Sequence, residues 1–281
     1  MTNKEIIEKC IECEHEGKFD VHTTPINYDI VIPLTADFPY INHGWRKIKV
    51  FFQKVFAIKP FVWYENKLVY KTKVEGRENL KGVKSAIVTS SHVFIFDCLI
   101  AMHALRGHKL KITAADFNNQ EGWFGDLMRA GGMLPIGKKI DVMKKFNNAV
   151  EHYLLYNNLI LFYPEQAMWY MYDKPRPRKD GAFHYAAKFN VPVIPMFISY
   201  RNSGKIGKDG LEIKYITEHI LKPIFPDPKL SFKENEEMLK GKEFEAVKEK
   251  YEEVYGKKLI YDIKENTEEI QKSSDETTAE I

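Results

Sequence analysis

The sequence has few cysteines, no long apolar run and little excess of charge of either sign. Its three cysteines are too few for a disulfide-stabilised scaffold, and such low usage is typical of a reducing compartment. No stretch approaches the roughly 18 consecutive apolar residues that a transmembrane helix needs. The N-terminus lacks the basic-then-apolar pattern of a signal peptide. We therefore expect a protein without a transmembrane span or signal peptide, made and retained on the cytoplasmic side.

The side chains that could support metal or redox chemistry are sparse. Cys10 and Cys13 form a C-x-x-C pair, a pattern that can be redox-active or bind a metal, but no second pair accompanies it. We interpret the two as ordinary cysteines of a short N-terminal helix. His103 and His108 lie on or just after a predicted helix without the spacing of metal ligands, so we expect no metal site.

The charge is unevenly distributed along the 281 residues. The net charge is +3, but the segment 265–281 holds six acidic residues and one lysine, so the rest of the chain is more basic than the total suggests. A basic body suits an anionic partner, which could be a nucleic acid, a phosphorylated substrate or an acidic membrane surface. The acidic end is rich in Ser and Thr and offers no apolar core, so we predict a disordered tail over residues 263–281.

Strand and helix patterns alternate over most of the chain after Leu68. Buried strands are predicted at 85–92, 158–165 and 191–200, with amphipathic helices between them. This alternation predicts an α/β fold, a single domain with a mostly parallel, largely buried central sheet flanked by helices. Further predicted elements are a strand over Leu68–Val74, an edge strand over 210–216 and a charged helix over 235–255.

The segment 45–64 is the candidate membrane-facing part of the chain. Apolar residues recur at helical spacing between Trp45 and Pro60, where we predict that a helix ends, and basic residues lie between them. Two interpretations remain open: a helix that packs on the protein's own core, or a basic, aromatic helix that lies in a membrane interface. The apolar positions are Ile48, Phe51, Phe52, Val55 and Phe56, and the basic ones are Lys47, Lys49 and Lys54.

Ionisable side chains follow several predicted strands at their carboxyl ends. His92 and Glu165 each end a buried strand, and Asp97 opens the helix that follows His92. Because active groups of parallel sheets gather at the carboxyl ends of the strands, we expect these side chains to share one edge. His92 and Asp97 can touch only if the chain turns between them, since residues five apart do not meet on an unbroken helix. A general base with nearby phosphate-binding cations is the economical interpretation. The candidate cations are Lys138, Lys139, Lys174, Arg176, Arg178 and Lys179.

In order and spacing these features resemble the glycerolipid acyltransferase family, the lysophosphatidic-acid acyltransferase-like proteins. The resemblance covers residues 69–200. On this basis we predict an acyltransferase domain over 45–262, with its motif-bearing core at about 69–200, preceded by an N-terminal extension over 1–44. The family has four ordered motifs, and two flanking stretches match as well, at 76–80 (Gly-x-Glu-Asn-Leu) and 179–183 (Lys-x-Gly-Ala-Phe). The first motif is His-x4-Asp at His92 and Asp97, the second is Gly-x-x with a hydrophobic pair and a basic residue at 132–138, the third begins with Tyr-Pro-Glu at 163–165 where the family has Phe-Pro-Glu, and the fourth is Val-Pro-Val-Ile-Pro at 191–195.

The resemblance implies an enzyme of phospholipid biosynthesis, similar to 1-acylglycerol-3-phosphate O-acyltransferases. Such an enzyme moves a fatty acyl group from acyl-CoA or acyl-carrier protein to a hydroxyl of a lysophospholipid or related glycerolipid. His92 would be the general base and Asp97 would orient its imidazole. The acyl donor is a substrate, so no bound cofactor is expected, and the amphiphilic acceptor implies peripheral contact with a membrane surface. The implied substrate-binding residues are Lys138, Lys139, Pro164, Glu165, Lys174, Arg176 and Lys179.

The third motif departs from the family pattern. It keeps Pro-Glu but has Gln166, Ala167 and Met168 where the family has Gly-Thr-Arg. That arginine is implicated in binding the acceptor's phosphate, so either the cations of the 174–179 loop replace it or the acceptor is not a simple lysophosphatidate. Because of this departure a second function stays open, that of a non-catalytic protein on the same scaffold that binds a lipid or an acyl chain. A nucleic-acid-binding module has weaker support, because no known motif of that kind is present, and we expect no nucleic-acid partner.

Overall fold

Seven strands form one sheet that organises the fold, and a computed structural model describes residues 1–264 of the chain. The strands are β1 (Lys73–Glu75), β2 (Ala86–Thr89), β3 (Lys109–Ala115), β4 (Met133–Ile136), β5 (Asn158–Phe162), β6 (Val193–Ile206) and β7 (Glu212–Ile220). Their order is β1-β7-β6-β2-β5-β3-β4, and neighbours are parallel except for β6 and β7. The predicted single α/β domain with a mostly parallel sheet is confirmed. The predicted disordered tail lies, from position 265 on, outside the described residues.

Helices connect and cover these strands. The two with the clearest start signals are the first and the last, because Thr2 and Ser231 each accept a hydrogen bond from the backbone N–H three residues on, in a capping box. The α-helices are α1 (Asn3–His15), α2 (Trp45–Gln53), α3 (Lys59–Tyr64), α4 (Asp97–Ala104), α5 (Gly122–Gly131), α6 (Ile140–Leu155), α7 (Gly181–Phe189) and α8 (Phe232–Tyr255).

Both faces of the sheet are covered because its central strands are apolar on both sides. Successive side chains of a strand point to opposite faces. Ile87 of β2 therefore belongs to one core cluster together with Phe146 of α6 and Phe183 of α7. Its neighbour Val88 belongs to a second cluster, which includes Ala101 of α4. The result is a three-layer arrangement in which the carboxyl ends of β2 and β5 lie at the same edge.

The helix that was expected to end at Pro60 continues beyond it, and that prediction is wrong. A π-helical turn, Lys54–Ile58, follows α2, and the N–H of Lys59 donates to the carbonyl of Lys54, five residues back. Pro60 then lies in the first turn of α3, where its missing N–H costs no hydrogen bond. A second π-helical turn, Glu65–Val69, extends the helical segment, so we call residues 45–69 the long helix.

Two strand predictions also need correction. The strand expected over Leu68–Val74 is mostly absent, because the long helix runs through Val69 and β1 holds only three residues. The strand expected at the edge, over 210–216, is β7, and it lies between β1 and β6. The parallel register of Val74 with Glu218 supplies the extra neighbour. Strand β1 has only three residues, which is too short a sequence pattern to predict the strand or its pairing with β7.

The N-terminal residues pack against the domain near the third motif. Ile6, Cys10 and Cys13 of α1 form a core cluster with Ala167 and Trp169. Burial raises the pKa of both cysteine thiols, which disfavours the thiolate that redox or metal chemistry requires. Among residues 1–264, none of the helices combines the length and the apolar character needed to cross a bilayer.

Candidate active site

His92 and Asp97 meet across a loop that joins β2 to α4. The Nδ1 atom of His92 lies 2.7 Å from Oδ2 of Asp97, and the same oxygen accepts the backbone N–H of Val93 at 3.1 Å. Asp97 is buried, whereas the His92 side chain is 24% exposed. Because a carboxylate can only accept, the pair places the proton of the neutral imidazole on Nδ1. Nε2 is thereby the ring atom that can take a proton from a bound molecule.

Tyr163 covers one side of the imidazole. The rings of Tyr163 and His92 are stacked, with centroids 4.2 Å apart and planes inclined by 22°. Burial, and then the charge of Asp97, raise the pKa of the Tyr163 hydroxyl well above its usual value. This tyrosine therefore stays neutral and acts as an aromatic wall for the base.

Glu165 contacts the backbone of His92 and not its ring. Its Oε2 accepts the N–H of His92 at 3.2 Å, and its Oε1 accepts the N–H of Arg176 at 3.1 Å. The carboxylate also forms two ion pairs of 2.8 Å, with Arg176 and Arg178. Burial alone would raise the pKa of Glu165, but the two guanidinium groups outweigh it and hold that pKa below its ordinary value. Glu165 is thus an ionised buried group that fixes the position of the loop.

Arg176 braces the same loop from the other side. Its side chain is buried, at 1% exposed. The Nη2 atom donates hydrogen bonds to Glu165, to the carbonyl of Ala167 at 2.6 Å and to the carbonyl of His92 at 3.3 Å. The Nη1 atom donates to the carbonyl of Phe19 at 2.9 Å. These donors face protein acceptors, so this placement does not fit the expected contact between Arg176 and a substrate phosphate. Its guanidinium joins the third-motif loop to the N-terminal segment.

The two lysines of that loop are also engaged by the N-terminal segment. Lys174 forms an ion pair with Glu14, and Lys179 forms one with Asp20 at 2.7 Å. The Lys179 backbone N–H donates to the carbonyl of the buried Pro164 at 2.8 Å. The structure therefore brings the 174–179 cations close to the carboxylates of residues 1–20 and not, in this arrangement, to an open site beside His92.

Lys138 and Lys139 follow β4 and are exposed. None of the ion pairs found within residues 1–264 involves either lysine. Strands β5 and β3 lie between β2 and β4, so their strand lies about 14 Å from the one that ends near His92, given the spacing of neighbouring strands. A long lysine side chain and an extended substrate can span part of that distance.

Sequence reasoning missed a carboxylate that belongs to this network. Glu243 of α8 is fully buried and pairs with Arg178 at 2.8 Å. A charged helix was predicted here, but no role was assigned to any of its glutamates. The available signal was spacing, because Leu239, Glu243 and Val247 recur every four residues and share the buried stripe of the helix.

Comparisons with known proteins find matches for the part of the chain that holds His92, Asp97 and Glu165. The family model described as Acyltransferase matches residues 71–199. Among solved structures, the chain is similar to the 1-acyl-sn-glycerophosphate (LPA) acyltransferase PlsC from Thermotoga maritima, with a TM-score of 0.56 and 18% sequence identity over 78% of this chain and 86% of that one. At that identity the likeness shows a shared fold. No curated protein sequence matches the chain. Residues 71–199 therefore match the acyltransferase family, in agreement with the resemblance predicted from the motifs.

Proposed function

We propose that the protein transfers a fatty acyl group from acyl-CoA or acyl-carrier protein to a hydroxyl of a lysophospholipid or related glycerolipid. The observation that carries the proposal is the contact between His92 Nδ1 and Asp97 at the carboxyl edge of an acyltransferase-family domain. The partly exposed imidazole is the base, and the buried carboxylate fixes its tautomer and stabilises the imidazolium.

The reaction then proceeds in two proton-coupled steps. Nε2 of His92 removes the proton of the acceptor hydroxyl as its oxygen attacks the thioester carbonyl. The tetrahedral intermediate collapses, the C–S bond breaks, and the imidazolium returns the proton to the leaving thiolate. The products are an ester and a free thiol, and Asp97 remains ionised throughout. His92, Asp97 and the two substrates handle every proton and bond, so we propose no bound cofactor.

The acceptor's head group would lie toward the second motif. Lys138 and Lys139 are exposed at the same edge of the sheet and lack a carboxylate partner among residues 1–264, which favours them as phosphate ligands. Lys174 and Lys179 could join them only by exchanging Glu14 and Asp20 for the substrate. Pro164 and Glu165 would shape the floor of the site through the backbone of His92 and Lys179.

A mostly apolar cavity beside the loop is suited to an acyl chain. It has a volume of about 490 Å³, and its lining includes Tyr70, Tyr170, Met171 and Tyr200 together with the charged residues Lys208, Asp209, Glu212 and Lys214. It borders the site because the N–H of Met171 donates to the carbonyl of Val93, next to His92. Its size lies in the range of pockets that bury small amphiphiles.

Peripheral binding to a membrane would bring the protein to its amphiphilic acceptor. The long helix exposes many aromatic side chains, which we call the aromatic surface. It reaches the loop of the site through Phe61, which packs edge-to-face on Phe96 with centroids 5.5 Å apart. In the same loop, between His92 and Asp97, Ile95 is 68% exposed. Exposed apolar area of this extent is typical of a surface that meets a lipid or a partner. The aromatic surface comprises Trp45, Phe51, Phe52, Phe56, Phe61, Trp63 and Tyr64.

The experiment is acyl transfer from acyl-CoA and acyl-carrier-protein donors to lysophosphatidate, other lysophospholipids and alcohols without phosphate. His92→Ala should lower turnover by at least about 10²-fold with an unchanged unfolding midpoint, and Asp97→Asn should give a comparable loss. Transfer to lysophosphatidate alone would identify the acceptor class, and transfer only to another acceptor would make the altered third motif a specificity change. Lipid binding without any transfer would favour the non-catalytic lipid-binding protein instead.

A further inference from the structure

A chain of buried charges runs from α8 to the backbone of His92. It starts at Glu243, which is 0% exposed. Its Oε1 accepts the hydroxyl hydrogen bond of Thr89 at 2.8 Å, and its Oε2 accepts Nε–H of Arg178 at 2.8 Å. The Nη1 atom of Arg178 in turn donates to Glu165 at 2.8 Å, and Glu165 accepts the N–H of His92 at 3.2 Å.

This network holds both ends of segment 89–92, which carries the base His92. Thr89 is the last residue of β2, and His92 lies three residues later in the loop. Glu243 bonds directly to Thr89, and it is linked to His92 through Arg178 and Glu165. The segment 89–92 is therefore held at a fixed position relative to α8, a helix that lies beyond residues 71–199 and outside the family match.

The charges make the arrangement rigid. Arg178 has side-chain donors on two carboxylates at once, and the charges of Glu243 and Glu165 outweigh burial and raise the pKa of its guanidinium, so it stays charged. Glu243, Arg178 and Glu165 are each 2% exposed or less in their side chains. Buried ion pairs of this kind add little stability compared with apolar side chains of the same volume, whereas removing one partner leaves a buried charge without compensation. Fixed geometry is what such a network provides best.

We propose that Glu243 is a positioning residue for the reaction, acting through Arg178 and Glu165 to set the place of the His92 imidazole. The inference rests on the proposed function, in which Nε2 of His92 must meet the acceptor hydroxyl at hydrogen-bond distance. Without the charge of Glu243, the Arg178 guanidinium turns toward Glu165 alone and draws that carboxylate away from the N–H of His92. Misplacement of a base by about 1 Å can cost up to about 10²-fold in rate.

The test compares Glu243→Gln with Glu245→Gln, a matched loss of charge on the same helix. Glu245 is half exposed and pairs only with Lys248 in the described structure. Glu243→Gln should lower kcat by about tenfold or more and change KM by less than about twofold, while Glu245→Gln keeps wild-type kcat. An equal kcat in the folded Glu243→Gln protein would overturn the proposal.

A second readout does not depend on activity. The ring signals of His92 in a ¹H–¹³C spectrum are assigned by their loss in His92→Ala. These signals should shift in Glu243→Gln and not in Glu245→Gln. Unchanged signals would refute the positioning role whether or not the wild type transfers acyl groups. If the wild type transfers no acyl group but the His92 signals shift in Glu243→Gln, the proposed function is refuted and the positioning role is not.

Arg178→Lys serves if Glu243→Gln fails to fold. A lysine keeps the charge but presents a single ammonium, which cannot bridge Glu243 and Glu165 as the forked guanidinium does. The same loss of kcat and the same shift of the His92 signals are expected. Where both single variants fold, their losses of kcat should be less than multiplicative in the double variant, since both act on one network, and independent losses would contradict the proposal.

Discussion

The ring of Tyr163 lies 4.2 Å, centroid to centroid, from the ring of His92 and nearly parallel to it. Phenylalanine stands at this position in the family that the motifs resemble, so the aromatic face, and not the hydroxyl, is what the two residues share. The stack limits the rotation of the imidazole and keeps water from that side of the base.

Replacing Tyr163 therefore separates the ring from its hydroxyl. Tyr163→Phe should keep kcat within about threefold, because the stacked ring remains. Tyr163→Ala should lower kcat by about tenfold or more, since the imidazole loses its wall and its fixed orientation. Steady-state kinetics on the two variants measures this, with unfolding midpoints to confirm that both are folded. A Phe variant as impaired as the Ala variant would show that the hydroxyl matters more than the ring.

A second prediction concerns the acceptor's phosphate. Changing Lys138 and Lys139 together to Gln should raise KM for a phosphate-bearing acceptor by about tenfold and leave KM for the acyl donor unchanged. Lys144→Gln on the exposed side of α6 is the control, because it removes a nearby positive charge without touching the end of β4. Equal losses for acceptors with and without phosphate would place these lysines outside the head-group site.

The aromatic surface supports a third prediction. Phe52 and Phe56 are stacked on the long helix, with centroids 5.9 Å apart, and are 52% and 71% exposed. Changing both to Ala should weaken binding to vesicles by about tenfold, because each buries apolar area in the interface. Phe225→Ala removes a similarly exposed ring elsewhere and should leave binding unchanged. Vesicle flotation gives the measurement, and unchanged binding of the double variant would move the membrane face to another part of the surface.

The lysines of the same helix should contribute a salt-dependent part of that binding. Changing Lys47, Lys49 and Lys54 to Gln is expected to weaken binding to anionic vesicles at low salt and to have little effect at high salt. The three differ in the structure, because Lys49 pairs with Asp126 at 2.9 Å and burial lowers the pKa of Lys54. Lys47 should therefore account for the largest share among the single variants. An effect that is the same at both salt concentrations would contradict an electrostatic contribution.

The pair His92 and Asp97 could be placed from the sequence because strand ends of parallel sheets share an edge, whatever the exact packing. The role of Glu165 could not be predicted from the sequence. Whether a carboxylate at that edge faces substrate or a buried arginine depends on which charges the rest of the chain brings to it. Glu243 comes from 78 residues further along, and its partner choice is decided by helix packing that no local pattern encodes. The sequence pattern around Pro60 was misleading for a similar reason. The π-helical turn before it allows the proline to lie inside a helical segment, and no local pattern predicts that turn.

A final prediction concerns Glu218, a buried glutamate of β7 that the mechanism does not use. It is 0% exposed, and neither carboxylate oxygen finds a hydrogen-bond partner within residues 1–264. Burial, and then the nearby charge of Asp97, raise its pKa well above the ordinary value for glutamate. The folded protein therefore keeps a proton on this group at a pH where the unfolded chain has released it. Stability is then lost as the pH rises above the ordinary pKa of glutamate, about 4.3. Glu218→Gln is neutral at every pH, so the variant should be more stable than the wild type at pH 8, and the difference should shrink as the pH falls toward about 4. Urea unfolding of both proteins at pH 5 and pH 8 measures this, and a difference of the same size at the two pH values would show that Glu218 does not titrate with folding.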